Sequence, residues 1–283
     1  METVKQGRCS VGFCDQYVTI KYNDQKCENL IDFLCCDLQK GENVSPCAVY
    51  NLVASGQEFM LSRQQKKEII YSGKCRYELA YSLVNEIIHQ CIVDNSRGFA
   101  IHAAAIGTER GGVLLPGTSG SGKSTLTTFL VSNGCNYLTD ELVVLTPENH
   151  RILPLTRPFC IKSDGVGVLS TFLTFDSSEV IKGSGGIMLP HRLVNRLFSA
   201  CTPPLSMILF PVYQKGATVE LTKLSSALGC AKLIKCYVNA RNIQDHGISG
   251  LAEITRNTPI YRLNYGNFDG LYALLRKSFP HLF

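Results

Sequence analysis

The chain has 283 residues, of which 45% are hydrophobic and 18% are charged, a composition typical of a globular protein and not of a disordered one. This length suffices for one large domain or two smaller ones. The formal net charge of +5 slightly favours an anionic ligand. Because no run of Lys or Arg resembles a nucleic-acid-binding arm, we expect no nucleic-acid partner.

The N-terminal residues and the length of the apolar runs indicate the cellular compartment that we expect for the protein. Residues 1–6 read Met-Glu-Thr-Val-Lys-Gln and lack the apolar stretch of a signal peptide. No run approaches the roughly 18 apolar residues of a membrane span. We therefore expect a cytoplasmic protein without a membrane partner. The 13 cysteines lack paired Cys-x-x-Cys spacing, so we expect reduced, mostly buried thiols rather than a zinc site.

The first 95 residues mix short strand patterns with turn signals. Apolar and polar residues predict strands at residues 16–22, 48–53 and 68–72. Residues 76–95 predict an amphipathic helix, because Leu79, Leu83 and Ile87 lie on one stripe. We predict that residues 1–95 form a small N-terminal α+β module of unknown role, with recognition of an acceptor molecule as one option.

Beyond residue 95 the chain alternates between strand and helix patterns. The predicted strands are residues 99–106, 112–116, 136–139, 142–145, 152–155, 207–212, 218–221 and 261–265. Besides a helix from residue 123, the predicted helices are residues 225–238, 242–256 and 268–276. Residues 163–190 are rich in Gly and Ser and lack periodicity, which predicts a long functional or mobile loop.

The most informative motif is Gly-Thr-Ser-Gly-Ser-Gly-Lys-Ser at residues 117–124, which has the composition and spacing of a phosphate-binding loop. Its glycines let backbone N–H groups point at phosphate oxygens, and the helix that follows adds partial positive charge. The alternative is a Gly/Ser-rich turn that matches by accident. The predicted nucleotide-binding residues are Gly117, Thr118, Ser119, Gly120, Ser121, Gly122, Lys123, Ser124 and Thr125.

Carboxylates follow this motif closely enough to share its chemistry. Lys123 can reach the β- and γ-phosphates, and the Ser124 hydroxyl can bind Mg²⁺. Asp140 and Glu141 follow an apolar strand, where they can hold Mg²⁺ or accept the proton of an attacking hydroxyl. The alternative is a cap at a strand end. We predict a nucleoside triphosphate and Mg²⁺ as ligands, with ATP preferred and GTP left open, and with Ser124, Asp140 and Glu141 as the metal ligands.

Three basic residues, His102, Arg157 and Lys162, complete the predicted catalytic set, which also contains Lys123, Asp140 and Glu141. His102 lies in an apolar strand beside three alanines; such a histidine is often a satisfied core residue, but its small neighbours leave room for a ligand. Arg157 and Lys162 flank a short strand pattern and can neutralise charge on a transferring phosphoryl group. Surface bases at strand ends are an equally good interpretation of both.

Together these residues resemble the catalytic domain of HPr kinase/phosphorylase. The similarity is specific across residues 101–141, where a His, the phosphate loop and an acidic pair follow in the family's order. The chain looks most like relatives in bacterial peptide-maturation clusters, including lasso-peptide kinases. The stretches that carry this are Ile101-His102-Ala103-Ala104-Ala105, residues 114–124, Leu138-Thr139-Asp140-Glu141 and, more loosely, residues 157–162, 210–211 and 261–266.

This resemblance implies an α/β (α+β) fold, a phosphate-loop domain of the HPr kinase/phosphoenolpyruvate-carboxykinase type with a mixed sheet, over residues 96–283. It also implies that the acidic pair contacts the metal and deprotonates an acceptor serine, assisted by His102. The family often has two aspartates where this chain has Asp140 and Glu141, so the division of roles stays open. The family's long signature segment after the acidic pair is missing, so the resemblance does not extend to HPr as acceptor.

The preferred hypothesis is an ATP-dependent kinase that phosphorylates a hydroxyl, serine above all, on a small protein or precursor peptide. One alternative is a small-molecule kinase that acts on free serine or another metabolite. Another is a nucleotide-gated module that binds a peptide without transfer. A homo-oligomer is compatible with the family. The sequence favours the first hypothesis because basic, acidic and His residues accompany the loop, whereas a binding switch needs the loop alone.

Overall fold

The computed structural model describes residues 7–283, which form a mixed α/β structure with several sheets. The strands are β1 (Gly7–Phe13), β2 (Gln16–Tyr22), β3 (Gln39–Lys40), β4 (Ala48–Ser55), β5 (Glu58–Arg63), β6 (Glu68–Gly73), β7 (Phe99–Thr108), β8 (Gly111–Pro116), β9 (Asn136–Thr139), β10 (Leu142–Leu145), β11 (Ile152–Pro154), β12 (Phe159–Lys162), β13 (Ile181–Gly183), β14 (Gly186–Leu189), β15 (Leu205–Tyr213), β16 (Glu220–Lys223) and β17 (Ile260–Tyr265). The helices are α1 (Gln25–Cys35), α2 (Arg76–Val93), α3 (Lys123–Ser132), α4 (Ser163–Leu169), α5 (His191–Val194), α6 (Ser226–Ile234), α7 (Ile248–Asn257) and α8 (Leu271–Ser278).

The N-terminal residues form a six-stranded sheet in the order β3-β1-β2-β4-β5-β6, with α1 and α2 packed against it. The predicted strands β2, β4 and β6 and the helix α2 are confirmed. The sequence analysis missed β1, β5 and α1. Helix α1 begins at Asp24, whose side chain accepts a hydrogen bond from the Lys26 amide, and buries Cys27, Leu30 and Leu34. Two of its buried positions, Cys27 and Cys35, are cysteines, which weakens the hydrophobic pattern in the sequence.

The central sheet has the order β11-β10-β7-β8-β15-β17-β16, and β9 also pairs with β7. Strand β15 is parallel to both β8 and β17, while the other pairs are antiparallel, so the predicted mixed sheet is confirmed. Alternate residues of β7 contribute to opposite cores: Ala104 packs with α3 and α8, and Ala103 packs with α6 and α7. Helices therefore cover both faces.

The prediction of a long loop at residues 163–190 is wrong in part. This stretch contains α4, β13 and β14, and β14 joins β12 and β13 in a three-stranded antiparallel sheet. Gly186 has a φ of +138°, and a Cβ there would lie 2.0 Å from the Ile161 carbonyl oxygen. The glycine is needed because two strands approach closely at this point, not because the segment is a mobile loop.

The start of helix α6 was predicted closely, whereas that of helix α7 was not. Helix α6 starts where expected, and the Ser225 side chain accepts a hydrogen bond from the Leu228 amide, as an N-cap should. Helix α7 starts six residues later than residue 242, because short 3₁₀ turns at Ala240–Asn242 and Gln244–Gly247 precede it. Within residues 7–283, no helix combines the length and apolar character needed to cross a bilayer.

The N-terminal sheet and the central sheet share a hydrophobic core. Buried residues of β2, α1 and α2 pack in one cluster with Ala100, Leu142 and Val144 of the central sheet. A polar link lies at its edge, where Asp37 accepts a hydrogen bond from Arg192 and lies 3.3 Å from His191 Nε2. The boundary at residue 95 stays a prediction, but the two parts contact each other directly.

Asn239 fixes the chain at this junction. Its Oδ1 accepts from the Ala100 amide at 2.8 Å, and its Nδ2 donates to the carbonyls of Asn95 at 2.8 Å and Gly98 at 2.9 Å. We expect Asn239→Ala to lower the free energy of unfolding by about 3 kcal/mol, because it leaves buried backbone groups without partners. Urea unfolding measures this, with the exposed Asn85→Ala as control; a loss below about 1 kcal/mol would contradict the assignment.

Candidate functional site

The predicted phosphate loop connects the end of β8 to the start of α3. Gly120 and Gly122 have φ values of +86° and +87°, which side chains other than glycine rarely adopt. A Cβ at Gly117 would lie 2.5 Å from Ser121 Oγ. Gly120 and Gly122 therefore permit backbone angles that other residues disfavour, and Gly117 permits the close approach of Ser121.

Lys123 lies against the loop and is 7% exposed. Its Nζ donates to the carbonyl oxygens of Gly117 at 2.6 Å and Thr118 at 3.2 Å. Burial lowers the pKa of the ammonium below its usual range, and the charge of Glu141 opposes that shift. A buried cation held at the mouth of a glycine-rich loop is well suited to an anionic ligand. Ser121 Oγ, buried in the same loop, lacks a hydrogen-bond partner among the described residues.

Asp140 is buried, at 1% exposure, and each of its oxygens has a partner. Oδ1 accepts from the Tyr137 hydroxyl at 3.2 Å, and Oδ2 accepts from the Cys160 amide at 3.2 Å. Burial raises the pKa of Asp140, against the attraction of the Arg157 charge. Ser124 of the loop lines the same cavity as Asp140, although the two are 16 residues apart in sequence (140 minus 124).

Glu141 points into more open space than its neighbour, with a side chain that is 36% exposed. Its Oε2 accepts from Arg157 Nη2 at 2.7 Å, and its Oε1 lies 3.6 Å from His102 Nε2. Burial and the Lys123 charge lower the pKa of His102, while the Glu141 charge opposes them. His102 is therefore in the site rather than in the apolar core, as one of the two interpretations predicted.

Arg157 is buried and pairs with both carboxylates. Its Nη2 lies 3.3 Å from Asp140 Oδ1 as well as 2.7 Å from Glu141 Oε2, and its side chain is 5% exposed. Burial alone would lower the pKa of the guanidinium, but the two carboxylates raise it. The interpretation of Arg157 as a surface base is wrong, because its charge is enclosed between two acids.

Lys162 is exposed at the end of β12, and its Nζ donates to Ser119 Oγ at 2.6 Å. This contact brings a second ammonium group to the phosphate loop from a different sheet. Unlike Arg157, Lys162 has no carboxylate within ion-pair distance among the described residues. Its charge is available to a ligand of the loop.

Most of the predicted site residues line one cavity of about 760 Å³. They are His102, Ser119, Gly120, Gly122, Lys123, Ser124, Thr125, Asp140, Glu141 and Lys162. The predicted site residues that do not line it are Gly117, Thr118, Ser121 and Arg157. Of these, Gly117 and Thr118 bond to Lys123, and Arg157 pairs with the two carboxylates. A cleft of about 110 Å³ beside Phe13 and Leu153 lies away from this set.

Aromatic residues that the sequence analysis did not single out also line the cavity: Tyr77, Tyr81, Tyr213, Tyr265 and Phe268. Tyr77 and Tyr81 belong to α2, which the sequence assigned to a separate module. The spacing of these two tyrosines, four residues apart on one helix, is a signal that could have found them. The other three come from the ends of β15 and β17 and the residues beyond, and local sequence does not reveal their proximity to the loop.

The predicted Mg²⁺ ligands line one cavity. Ser124 of the loop and both carboxylates of the acidic pair, Asp140 and Glu141, belong to its wall. Within residues 7–283 no group of three or more His, Cys, Asp or Glu forms a ready-made metal site. Mg²⁺ commonly uses one or two carboxylates together with water and substrate phosphates, and the oxygen donors present fit that pattern.

No family model matches the chain, and no curated protein is significantly similar to it. Its function has to be inferred from the residues of the cavity.

Tyr265 supports the phosphate loop from β17. Its buried hydroxyl donates to the Gly122 carbonyl at 3.1 Å, and a Cβ at Gly122 would lie 2.2 Å from that hydroxyl. We expect Tyr265→Phe to raise the KM for ATP by about threefold to tenfold, since one hydrogen bond of about 1 kcal/mol fixes the loop. The kcat should change less.

Steady-state kinetics with varied ATP measures this effect. Tyr261→Phe is a matched control, because Tyr261 lies on the same strand and its described contact is a ring contact with Phe279. An unchanged KM for ATP in Tyr265→Phe would show that this hydroxyl does not position the loop.

Proposed function

We propose that the chain is an ATP-dependent kinase that transfers the γ-phosphoryl group to a hydroxyl, serine in particular, on a small protein or peptide. The observation that carries this proposal is that both halves of the site line one cavity. Its wall contains the loop residues Lys123 and Ser124, the acidic pair Asp140 and Glu141, and His102. A nucleotide switch requires the loop, but it does not require a base beside it.

The roles of the two carboxylates follow from their surroundings. Asp140 is enclosed, and its oxygens accept hydrogen bonds from the Tyr137 hydroxyl and the Cys160 amide, so it is suited to holding a metal ion in fixed geometry. Glu141 is partly exposed to the cavity and can reach an acceptor hydroxyl. We therefore assign Glu141 as the general base and Asp140 as the metal-side carboxylate.

Bound MgATP supplies the phosphoryl group and a cation that offsets its charge. The loop amides and Lys123 hold the triphosphate, and Ser124 with Asp140 holds the metal side. Glu141 takes the proton of the acceptor hydroxyl as the hydroxyl oxygen bonds to the γ-phosphorus. The bond from the γ-phosphorus to the bridging oxygen breaks, and ADP keeps that electron pair. Lys162 is free to offset charge on the transferring group.

Arg157 and His102 position the base. Arg157 pairs with both carboxylates from within the core, so it fixes their separation rather than contacting the phosphates. His102 lies 3.6 Å from Glu141 and limits how far that side chain can turn. A positioned base is worth about 10² to 10⁴ in rate, so small changes at either residue should lower kcat.

We also propose a relationship to the HPr kinase/phosphorylase catalytic domain. The mixed sheet, the pairing of the His102 strand with the strand that enters the loop, and the acidic pair after the loop helix support it. The departure from that family after the acidic pair leaves the acceptor open.

The acceptor class is tested by mass spectrometry of a pool of serine-containing peptides and of free serine, each incubated with the protein and MgATP. Phosphate on peptide serine supports the proposal. Phosphate on free serine alone would replace it with a metabolite kinase. Bound ATP with no transfer to either would favour the nucleotide-gated binding module.

A further inference from the structure

The acceptor hydroxyl has to reach the proposed base, so the acceptor segment would bind in the part of the cavity next to Asp140 and Glu141. The cavity of about 760 Å³ extends beyond the phosphate loop, because α4 and the N-terminal helix α2 also contribute to its wall.

A short series of contacts links the acidic pair to the N-terminal part of the chain. The Cys160 amide bonds to Asp140 Oδ2 at 3.2 Å, and Cys160 Sγ lies 3.6 Å from the Tyr77 hydroxyl. Tyr77 belongs to α2 in the N-terminal part of the chain. The N-terminal part thus contributes a wall of the cavity directly next to the acidic pair.

Tyr77 and Tyr81 form an aromatic pair at this wall. Their rings are nearly parallel, with an interplanar angle of 13° and centroids 6.4 Å apart. Tyr77 is held against the hairpin of β13 and β14, because a Cβ at Gly183 would lie 2.5 Å from Tyr77 Cβ. Tyr81, one turn further along α2, is 49% exposed and lines the cavity, so its ring face is open to a ligand.

We propose that Tyr81, supported by Tyr77, is the subsite for a large apolar or aromatic side chain that neighbours the acceptor serine in a peptide. This inference rests on the proposed kinase function. An exposed aromatic face contributes contact area at low cost in side-chain entropy and pairs well with apolar and aromatic groups. Free serine has no side chain that can reach it. The acceptor is therefore a peptide segment with such a residue close to its serine.

Alanine-based nonapeptides with one central serine, varied at one neighbouring position at a time, are suitable probes. We expect the wild-type protein to phosphorylate fastest those with Phe, Tyr, Leu or Met at one of these positions. Tyr81→Ala should raise the KM for the preferred peptide about tenfold, the size expected for loss of one apolar substrate contact. It should also flatten the preference, while the KM for ATP stays within about twofold.

Two variants make this test specific. Tyr81→Phe keeps the ring and should keep the preference. His89→Ala changes another exposed residue of α2 outside the cavity and should behave as wild type. If Tyr81→Ala retains both the preference and the peptide KM, the subsite is wrong although the kinase function stands. If the wild-type protein phosphorylates none of the peptides, the proposed function fails and the subsite with it.

Discussion

We expect Lys123→Ala to lower phosphoryl transfer by about 10²- to 10³-fold, the range typical for removal of one preorganised charge-stabilising group. The Lys123 ammonium is buried against the phosphate loop, and its present partners are the carbonyls of Gly117 and Thr118. Without it, the β- and γ-phosphates lose a charged hydrogen bond as negative charge shifts onto the bridging oxygen. ATP affinity should fall as well, since the same contact forms in the ground state.

The protein should remain folded, because Lys123 bonds to carbonyl oxygens of its own loop, where water can replace the ammonium. Circular dichroism and thermal unfolding check this, and transfer of labelled phosphate measures the activity. Lys66→Ala is a suitable control, because Lys66 is an exposed lysine in the turn between β5 and β6. A folded Lys123→Ala protein with wild-type transfer would show that residues 117–125 are not the triphosphate site.

We expect the two carboxylates of the acidic pair to give different kinetic defects. Glu141→Gln should lower kcat by about 10²- to 10⁴-fold, because it removes the general base, with ATP affinity within about twofold of wild type. Asp140→Asn should instead raise the Mg²⁺ concentration needed for half-maximal activity, because it removes charge on the metal side. Steady-state kinetics at varied Mg²⁺ and ATP separates the two effects.

Glu148→Gln is the matched control, since Glu148 is exposed in the turn that follows β10 and should be neutral. If Asp140→Asn lowered kcat at saturating Mg²⁺ while Glu141→Gln shifted the Mg²⁺ requirement, the roles of the two residues would be the reverse of our assignment. If neither variant changed the kinetics, the acidic pair would be structural, consistent with its pairing to Arg157.

Strands with a strong local pattern were predicted close to their observed bounds. The alternating residues of β2 and the apolar runs of β7 and β8 carry their own signal, because side chains alternate in a strand and fully buried strands read as apolar runs. The error at residues 163–190 has the opposite cause. Gly186 resembles a loop glycine in sequence, but its role depends on the approach of Ile161, which no local pattern contains.

The residues of the candidate site likewise fall into two groups, those that local sequence predicts and those that only tertiary contacts reveal. The loop glycines, Lys123, Ser124 and the acidic pair lie in motifs whose spacing is itself the signal. The ion pairs of Arg157 and the hydroxyl of Tyr265 depend on contacts between distant strands. Tyr81 was missed because α2 was assigned to a separate module, and only the packing of α2 beside the β13–β14 hairpin brings it to the cavity.

The most direct measurement is a single-turnover experiment with ATP labelled in the γ-phosphate, excess protein, Mg²⁺ and the serine-peptide pool. We expect the label to move to peptide serine, with ADP and phosphopeptide formed in equal amounts. Label that stays in bound ATP, or that appears as inorganic phosphate with every peptide, would contradict the claim that this cavity transfers phosphate to a serine hydroxyl.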